Sequence, residues 1–328
     1  MAKRVLSGIR ASGRLHVGNY LGAVKGMLAL QNNSEYETFY MVADLHALTT
    51  PYDVEELRKN RHEVIIDYLA AGLDPEKSVI FQQADNTHAE LAFYLSSVVT
   101  VARMQHLPTY KDKVKQYPEH STMALLNYPV LMAADILAYK AHAVPVGDDQ
   151  LPHLEVAREI ARKLNEKYGT DFPEPEQFKT EGHYVPSLKG EGKMSKSVES
   201  SYINLTDDLE TIKAKIAKVP TDSGKGTDIK SPGTDGAVAL FTLVDLFVGK
   251  GKGVEYAKQR ATVGVRYQEI KEELSLAIYK ELEPFQEKRR ELEGKPEYID
   301  EVIREGGKRA RAVAEATILE LREKMGLK

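Results

Sequence analysis

Residues 4–28 read RVLSGIRASGRLHVGNYLGAVKGML, and the order of textures in this stretch decides the fold class. A short apolar run, Arg4 to Ile9, gives way to a turn carrying Gly13, and a helical period then begins near Tyr20 with Leu21, Val24 and Leu28 on one face. Strand, glycine-bearing loop and helix follow one another, and the pattern recurs. ETFYMVAD (37–44) reads as a second strand, and Val54 to Ala71 as an amphipathic helix opened by Pro51-Tyr52-Asp53. SVIFQ (78–82) is a third strand, and His88 to Val98 the helix after it. Strands alternating with helices imply right-handed crossovers and a parallel sheet covered on both faces. The expected class is therefore α/β, a doubly wound, Rossmann-like nucleotide-binding domain.

Further along, LLNYPVLMAADILAY (125–139) reads as a buried helix with Pro129 in its first turn. Ala143 to Val146 is a fourth strand, and Asp148 to Tyr168 a long helix. Beyond residue 205 the texture becomes almost wholly helical, ending in a segment from Tyr298 to Met325; Thr221 to Gly236 is a Gly/Ser/Asp-rich loop. The expected organisation is a catalytic domain over 1–205 with a helical insertion at about 99–140, then an all-helical domain over 206–328. The last helix is a candidate to pack back on the catalytic domain.

Composition narrows the chemistry. The 328 residues carry 45 basic and 49 acidic side chains, a net charge of −4, so no overall basic field advertises a nucleic-acid partner. The 23 basic and 23 acidic residues from Thr206 onward also cancel. Without cysteine, thiolate chemistry, iron–sulfur clusters and Cys-based zinc sites are excluded, and the nine histidines include no HExxH. No apolar run is long enough for a membrane span or a signal sequence, so a cytoplasmic location is expected.

In an open parallel sheet, ligands sit beyond the carboxyl ends of the strands. Those ends carry Ser7, Gly8 and Arg10; Asp44 and His46; Gln82 and Gln83; and Gly147, Asp148, Asp149 and Gln150. Four polar or small-residue ends after apolar strands point to one crevice. In HVGN (16–19), Gly18 lets a flat base approach the backbone, and His16 and Asn19 offer donors beside the positive end of a helix. They could equally be a turn glycine and a helix cap. GKMSKS (192–197) places Lys193 and Lys196 as mobile charges, with Ser195, Ser197 and backbone N–H groups as donors, on a loop that could clamp phosphate.

HVGN followed far downstream by KMSKS resembles the paired signatures of class I aminoacyl-tRNA synthetases. A given five-residue string such as KMSKS arises by chance on the order of once in a few million positions. YPVLMAADIL (128–137), VPVGDDQLPHLE (144–155) and SGI (7–9) are similar to the tryptophanyl branch of that class, and the match covers essentially the whole chain. The resemblance implies activation of L-tryptophan by ATP with Mg²⁺ and its transfer to tRNA(Trp) by a homodimer; no DNA or membrane partner and no zinc are expected, and the Cys-ligated iron–sulfur cluster of some relatives is excluded by the lack of cysteine. It assigns catalysis to Lys193, Lys196, His16 and a lysine of YKDKVK, either Lys113 or Lys111. ATP would meet Arg10, Gly18, Asn19, Gly147, Asp148, Asp149, Met194, Ser195 and Ser197. Relatives often carry Gln where Arg10 stands and Phe where Leu6 stands, which leaves Arg10 to meet a phosphate or a carboxylate.

The amino-acid pocket has its own physical argument. Asp135 is the one charged residue in the apolar run 128–139, and an unpaired buried carboxylate costs several kcal/mol. An indole has a single N–H and no acceptor, which suits an acceptor-only carboxylate; an internal cap or salt bridge would satisfy it as well. Met132, three residues earlier on the same face, offers a polarizable thioether to a ring. By resemblance, Leu6, Gly8, His46, Val144, Val146 and Gln150 complete the pocket. A phenol also donates to a carboxylate, so a tyrosyl-tRNA synthetase is the nearest rival. A shorter adenylyltransferase and a catalytically silent RNA-binding relative are further rivals.

Overall fold

The structure, a computed structural model, describes residues 2–179, 184–195, 198, 200–224 and 235–328. Its chain order begins β1 (Lys3–Arg10), α1 (Val17–Asn19), a π-helical turn over Tyr20–Val24, α2 (Lys25–Gln31), β2 (Tyr36–Ala43), α3 (Val54–Ala70), β3 (Ser78–Gln82) and α4 (His88–Ser96). It continues with α5 (Val101–Gln105), α6 (Pro108–Gln116), α7 (Met123–Ala138), β4 (Ala143–Val144), α8 (Leu151–Tyr168) and β5 (Glu176–Gln177). The remaining helices are α9 (Leu209–Ala217), α10 (Asp235–Phe247), α11 (Lys252–Thr262), α12 (Tyr267–Glu293) and α13 (Pro296–Lys324).

The sheet is parallel with order β3-β2-β1-β4-β5, so the α/β, doubly wound class read from the sequence holds. β2 pairs β1 from Lys3↔Tyr36 to Arg10↔Ala43, and β4 pairs the other edge of β1 through Val5↔Ala143. The strand order therefore reverses at β1. Every residue of β3 and the last six of β2 are buried, as in a sheet covered on both faces. The far end of β1 differs: Gly8 and Arg10 are exposed. A crevice opens where the order reverses, as the switch-point rule requires.

Two elements depart from expectation. α7 begins at Met123, where the Thr122 hydroxyl accepts from Leu125 N, so Pro129 stands inside the helix and not in its first turn. An interior proline disfavours a helix by about 3 kcal/mol, but this one lies in a run whose residues Val130, Ala133, Ala134, Ile136 and Leu137 are all buried, and that burial dominates. β5 is a two-residue strand, Glu176–Gln177, too short and polar to show in the pattern of the chain.

Two compact units divide the chain elsewhere than at residue 205. One comprises 1–13, 26–180 and 292–328; the other comprises 14–25 and 181–291. The reasons are local to each unit. In the first, α13 packs on β3, α3 and α7, and Ala310, Ala314, Ile318 and Leu321 join the core that holds the strands. Gly306 permits the approach, because a Cβ there would fall 1.7 Å from the carbonyl oxygen of Ile80. In the second, the HVGN segment hydrogen-bonds to residues 203–205: Val17 N donates to Ile203 O (2.9 Å) and Leu205 N to Leu15 O (3.0 Å). Beyond residue 208 the described residues of that unit are mostly helical. Its core includes Ile212, Ile216, Leu240, Val244, Leu274 and Ile278, and the partly buried pair Arg260–Asp222 closes at 2.6 Å.

Candidate active site

At the crevice of the first unit lies a cavity of about 350 Å³. Leu6, Gly8 and Arg10 reach it from β1, His46 from the turn after β2, and Met132 and Asp135 from α7. Val144, Val146 and Gln150 reach it from β4 and the turn behind it. All eight residues expected to form the amino-acid pocket line this one cavity. Gly8 is needed at its position: a Cβ would stand 2.6 Å from Met41 Cγ and 2.9 Å from Met41 O, the residue it faces across the ladder.

Asp135 lies at the buried end, fully enclosed. Its Oδ1 accepts from Gln83 Nε2 (2.6 Å) and is 2.6 Å from His88 Nδ1; its Oδ2 is 2.7 Å from His46 Nε2. Burial alone would raise the carboxyl, but His46 and then His88 outweigh it and hold the pKa down to about 2. The group is therefore an anion and an acceptor only. A carboxylate offers about four lone-pair sites, so three internal donors leave one. Both sequence alternatives are thus met: the carboxylate has internal partners and still borders the cavity with an acceptor site to spare.

Sequence reasoning noted Gln83 at the end of β3 but gave it no role, and it missed His88 and Tyr139. Tyr139 follows Asp135 by four residues, the spacing of one helical face, which was a legible signal. Also missed was a cluster at the cavity wall, where Thr109 Oγ1 stands 2.8 Å and Tyr128 Oη 2.7 Å from His153 Nε2, and Gln150 Oε1 stands 3.0 Å from His153 Nδ1. Burial lowers the His153 pKa to about 4, with the Asp149 charge opposing, so this imidazole is neutral at pH 7. Tyr128 precedes Met132 by four residues on the same face of α7.

Two cations face the cavity. Arg10 Nη2 donates to His46 O (3.0 Å) and Thr50 Oγ1 (3.2 Å). Lys113, half-buried on α6, lines the cavity where Lys111 does not, and burial together with the Arg10 charge lowers its pKa. Gly147, Asp148 and Asp149, between the lining residues Val146 and Gln150, are themselves absent from the lining. Asp148 Oδ1 accepts from Gln177 Nε2 (2.9 Å) and Asp149 Oδ2 from Gln150 Nε2 (2.6 Å). A Cβ on Gly147 would stand 2.6 Å from Asp149 Oδ1.

The second unit holds the remaining motif residues. His16 Nδ1 accepts from Asn19 N (3.2 Å) while Asn19 Oδ1 accepts from His16 N (3.2 Å), a reciprocal cap that puts the ring proton on Nε2. A Cβ at Gly18 would meet His16 Nδ1 at 2.9 Å and Met194 Cβ at 3.3 Å, so HVGN and the start of KMSKS are neighbours. Met194 is buried, Lys193 is exposed and paired by backbone to Pro186, and Ser195 O accepts from Ser201 Oγ (2.6 Å). Lys196 and Ser197 lie outside the described residues.

These geometries agree with what the chain resembles. The family model for "tRNA synthetases class I (W and Y)" matches residues 2–283. A tryptophan–tRNA ligase of Caldanaerobacter subterraneus subsp. tengcongensis is 40% identical over 338 residues, 99% of this chain and 98% of the relative. One of Thermotoga maritima is 40% identical over 330 residues, 99% of each. The crystal structure of the Campylobacter jejuni tryptophanyl-tRNA synthetase with ADP and tryptophan superposes with a TM-score of 0.85 at 34% identity, covering 98% of this chain and 99% of that one. With these matches the chain belongs to the class I tRNA synthetases of the tryptophan and tyrosine group.

Proposed function

We infer that the chain is a tryptophan–tRNA ligase, which activates L-tryptophan with ATP to tryptophanyl-adenylate and pyrophosphate and then charges the 3′ adenosine of tRNA(Trp). The observation that carries this reading is Asp135: an anionic acceptor with one lone-pair site left at the buried end of an apolar cavity. A ring bearing a single N–H and no acceptor fits it. The cavity volume of about 350 Å³ falls in the range of small-molecule sites, about 300–1,000 Å³. Leu6, Met132, Val144 and Val146 would sandwich the ring, and Gln150 and Tyr128 would meet the polar end of the amino acid.

The carboxylate of tryptophan attacks the α-phosphate in line as the bond to pyrophosphate breaks, which calls for positioning and charge neutralisation more than covalent help. His16 Nε2–H and Asn19 would donate to phosphate oxygens, Gly18 would admit the base, and Gly147, Asp148 and Asp149 would meet the ribose. Lys113, Lys193 and Lys196, with Met194, Ser195 and Ser197 on the same loop, would hold the departing pyrophosphate as its charge grows. Arg10 would meet the substrate carboxylate or a phosphate. Mg²⁺ enters with ATP as part of the substrate, since magnesium is usually held by phosphates and water with one or two carboxylates. The helical segments of the second unit would read the anticodon, and the helices between about 99 and 140 would form the dimer. On α5 and α7 the exposed Val101 and Met123 support that placement.

Amino-acid-dependent exchange of labelled pyrophosphate into ATP tests the reading, with tryptophan, tyrosine and no amino acid compared. Exchange with tryptophan alone is expected. Exchange with tyrosine would keep the class and overturn the pocket, and exchange with neither would leave a silent relative.

A further inference from the structure

Two of the three donors on Asp135 come from residues outside the cavity lining. Gln83 and His88 are both fully buried, so neither can touch a ligand in the cavity, and whatever they do there passes through the carboxylate. His88 is held from both sides. Its Nδ1 is 2.6 Å from Asp135 Oδ1, and its Nε2 is 2.7 Å from the Tyr139 hydroxyl. The carboxylate takes a proton donor at Nδ1, so Nε2 accepts from the hydroxyl of Tyr139, and that hydroxyl fixes the tautomer. Burial raises the Tyr139 pKa and keeps the phenol a donor. Its ring is stacked on Phe39 with centroids 4.6 Å apart and tilted against Phe81 at 5.4 Å, so it has little room to turn.

Gln83 is fixed in the same way. Its Oε1 accepts from Leu45 N (3.0 Å), which sends Nε2 to Asp135 Oδ1. Both lone-pair sites of Oδ1 are then filled by groups that no ligand displaces, while Oδ2 meets His46, and both Asp135 and His46 line the cavity. A half-turn of the carboxylate would strand two buried donors, a costly outcome in a dry site.

We propose that His88, locked by Tyr139, is a positioning residue for substrate choice: it saturates Oδ1 so that Oδ2 presents its remaining lone pair to a ring N–H. The proposal rests on the tryptophan reading above and deepens it. Without the His88 donor the carboxylate is free to turn or to draw in water, and the site should lose its preference for an N–H over a group of the same shape that lacks one.

The test compares tryptophan with β-(3-benzothienyl)alanine, in which sulfur replaces the ring N–H at nearly constant shape, by kcat/KM in pyrophosphate exchange. Hydrogen bonds to charged groups are worth roughly ten- to hundredfold, and the unmodified enzyme should prefer tryptophan by about that factor. His88→Leu should bring the two substrates to within about threefold, through a rise in KM for tryptophan and little change for the analogue. His88→Asn, whose amide nitrogen sits near the place of Nδ1, should restore most of the preference. Tyr139→Phe, which removes one oxygen and leaves the packing, should reduce it partway. Equal losses for both substrates in His88→Leu would mean a structural role only and overturn the proposal, as would an unchanged ratio in Tyr139→Phe, which decides the matter if His88→Leu does not fold. An unmodified enzyme that exchanges with tryptophan but does not prefer it to the analogue would overturn the positioning role and leave the ligase reading standing. Failure to exchange with tryptophan would overturn both.

Discussion

His46 Nε2 and Asp135 Oδ2 stand 2.7 Å apart across 89 residues of sequence, one from the turn after β2 and one from α7. His46 is the only one of the three Asp135 partners that also lines the cavity. The pair is therefore where the buried carboxylate borders the cavity.

Asp135→Asn keeps the shape of the side chain but replaces one acceptor oxygen by a donor and removes the charge. Pyrophosphate exchange with tryptophan should fall about ten- to hundredfold in kcat/KM, mostly through KM. A loss confined to kcat would argue that Asp135 acts in the reaction and not in recognition.

His153 links the cavity wall to pH. Its pKa of about 4 lies below the usual 6.5, so the unfolded chain takes up this proton first as the pH falls. The contribution is fully present above about pH 6.5 and is lost as the pH falls through about 4, a total of about 3 kcal/mol. Urea midpoints measured from pH 7.5 to 4 should fall more steeply for the unmodified chain than for His153→Asn, and parallel curves would refute the assignment.

Lys113 and Lys111 separate by position. Lys113→Ala should slow adenylate formation by on the order of a hundredfold, with tryptophan affinity nearly unchanged, because its charge acts on the phosphates as they separate. Lys111→Ala should be close to neutral. Single-turnover adenylate formation compared with equilibrium binding reads both, and the chain's lack of tryptophan leaves a bound ligand as the only indole emitter.

Gly306 and Gly307 are adjacent on α13 and should behave oppositely. Gly306→Ala drives a methyl to 1.7 Å from Ile80 O and should lower stability by about 3 kcal/mol or more. A Cβ on Gly307 meets nothing within 4 Å, and Gly307→Ala should raise stability by about 0.5–1 kcal/mol. Thermal denaturation of the two variants would show it, and equal shifts would mean that α13 does not approach β3 as closely as described.

The sequence by itself determined the class of fold and three of the strands nearly to the residue, and the eight residues that it and the family resemblance named for an amino-acid pocket all line one cavity. Strand periodicity is local, and a parallel sheet puts its ligand at strand ends whatever the rest of the chain does. It also marked Asp135 as needing a donor, since burial of a lone carboxylate is unfavourable anywhere. Only the tertiary structure decided which donors those are. Gln83, His88 and His46 lie 52, 47 and 89 residues away and converge through packing, which no local period encodes. The same holds for the start of α7 at Thr122, where burial overrode a proline's preference, and for β5, two residues that exist as a strand because β4 offers them an edge. It holds again for α13, whose apolar stripe was visible but whose seat on β3 depends on a glycine meeting a carbonyl about 226 residues earlier in the chain. Local propensity names the elements; which buried groups satisfy one another is a property of their arrangement in space.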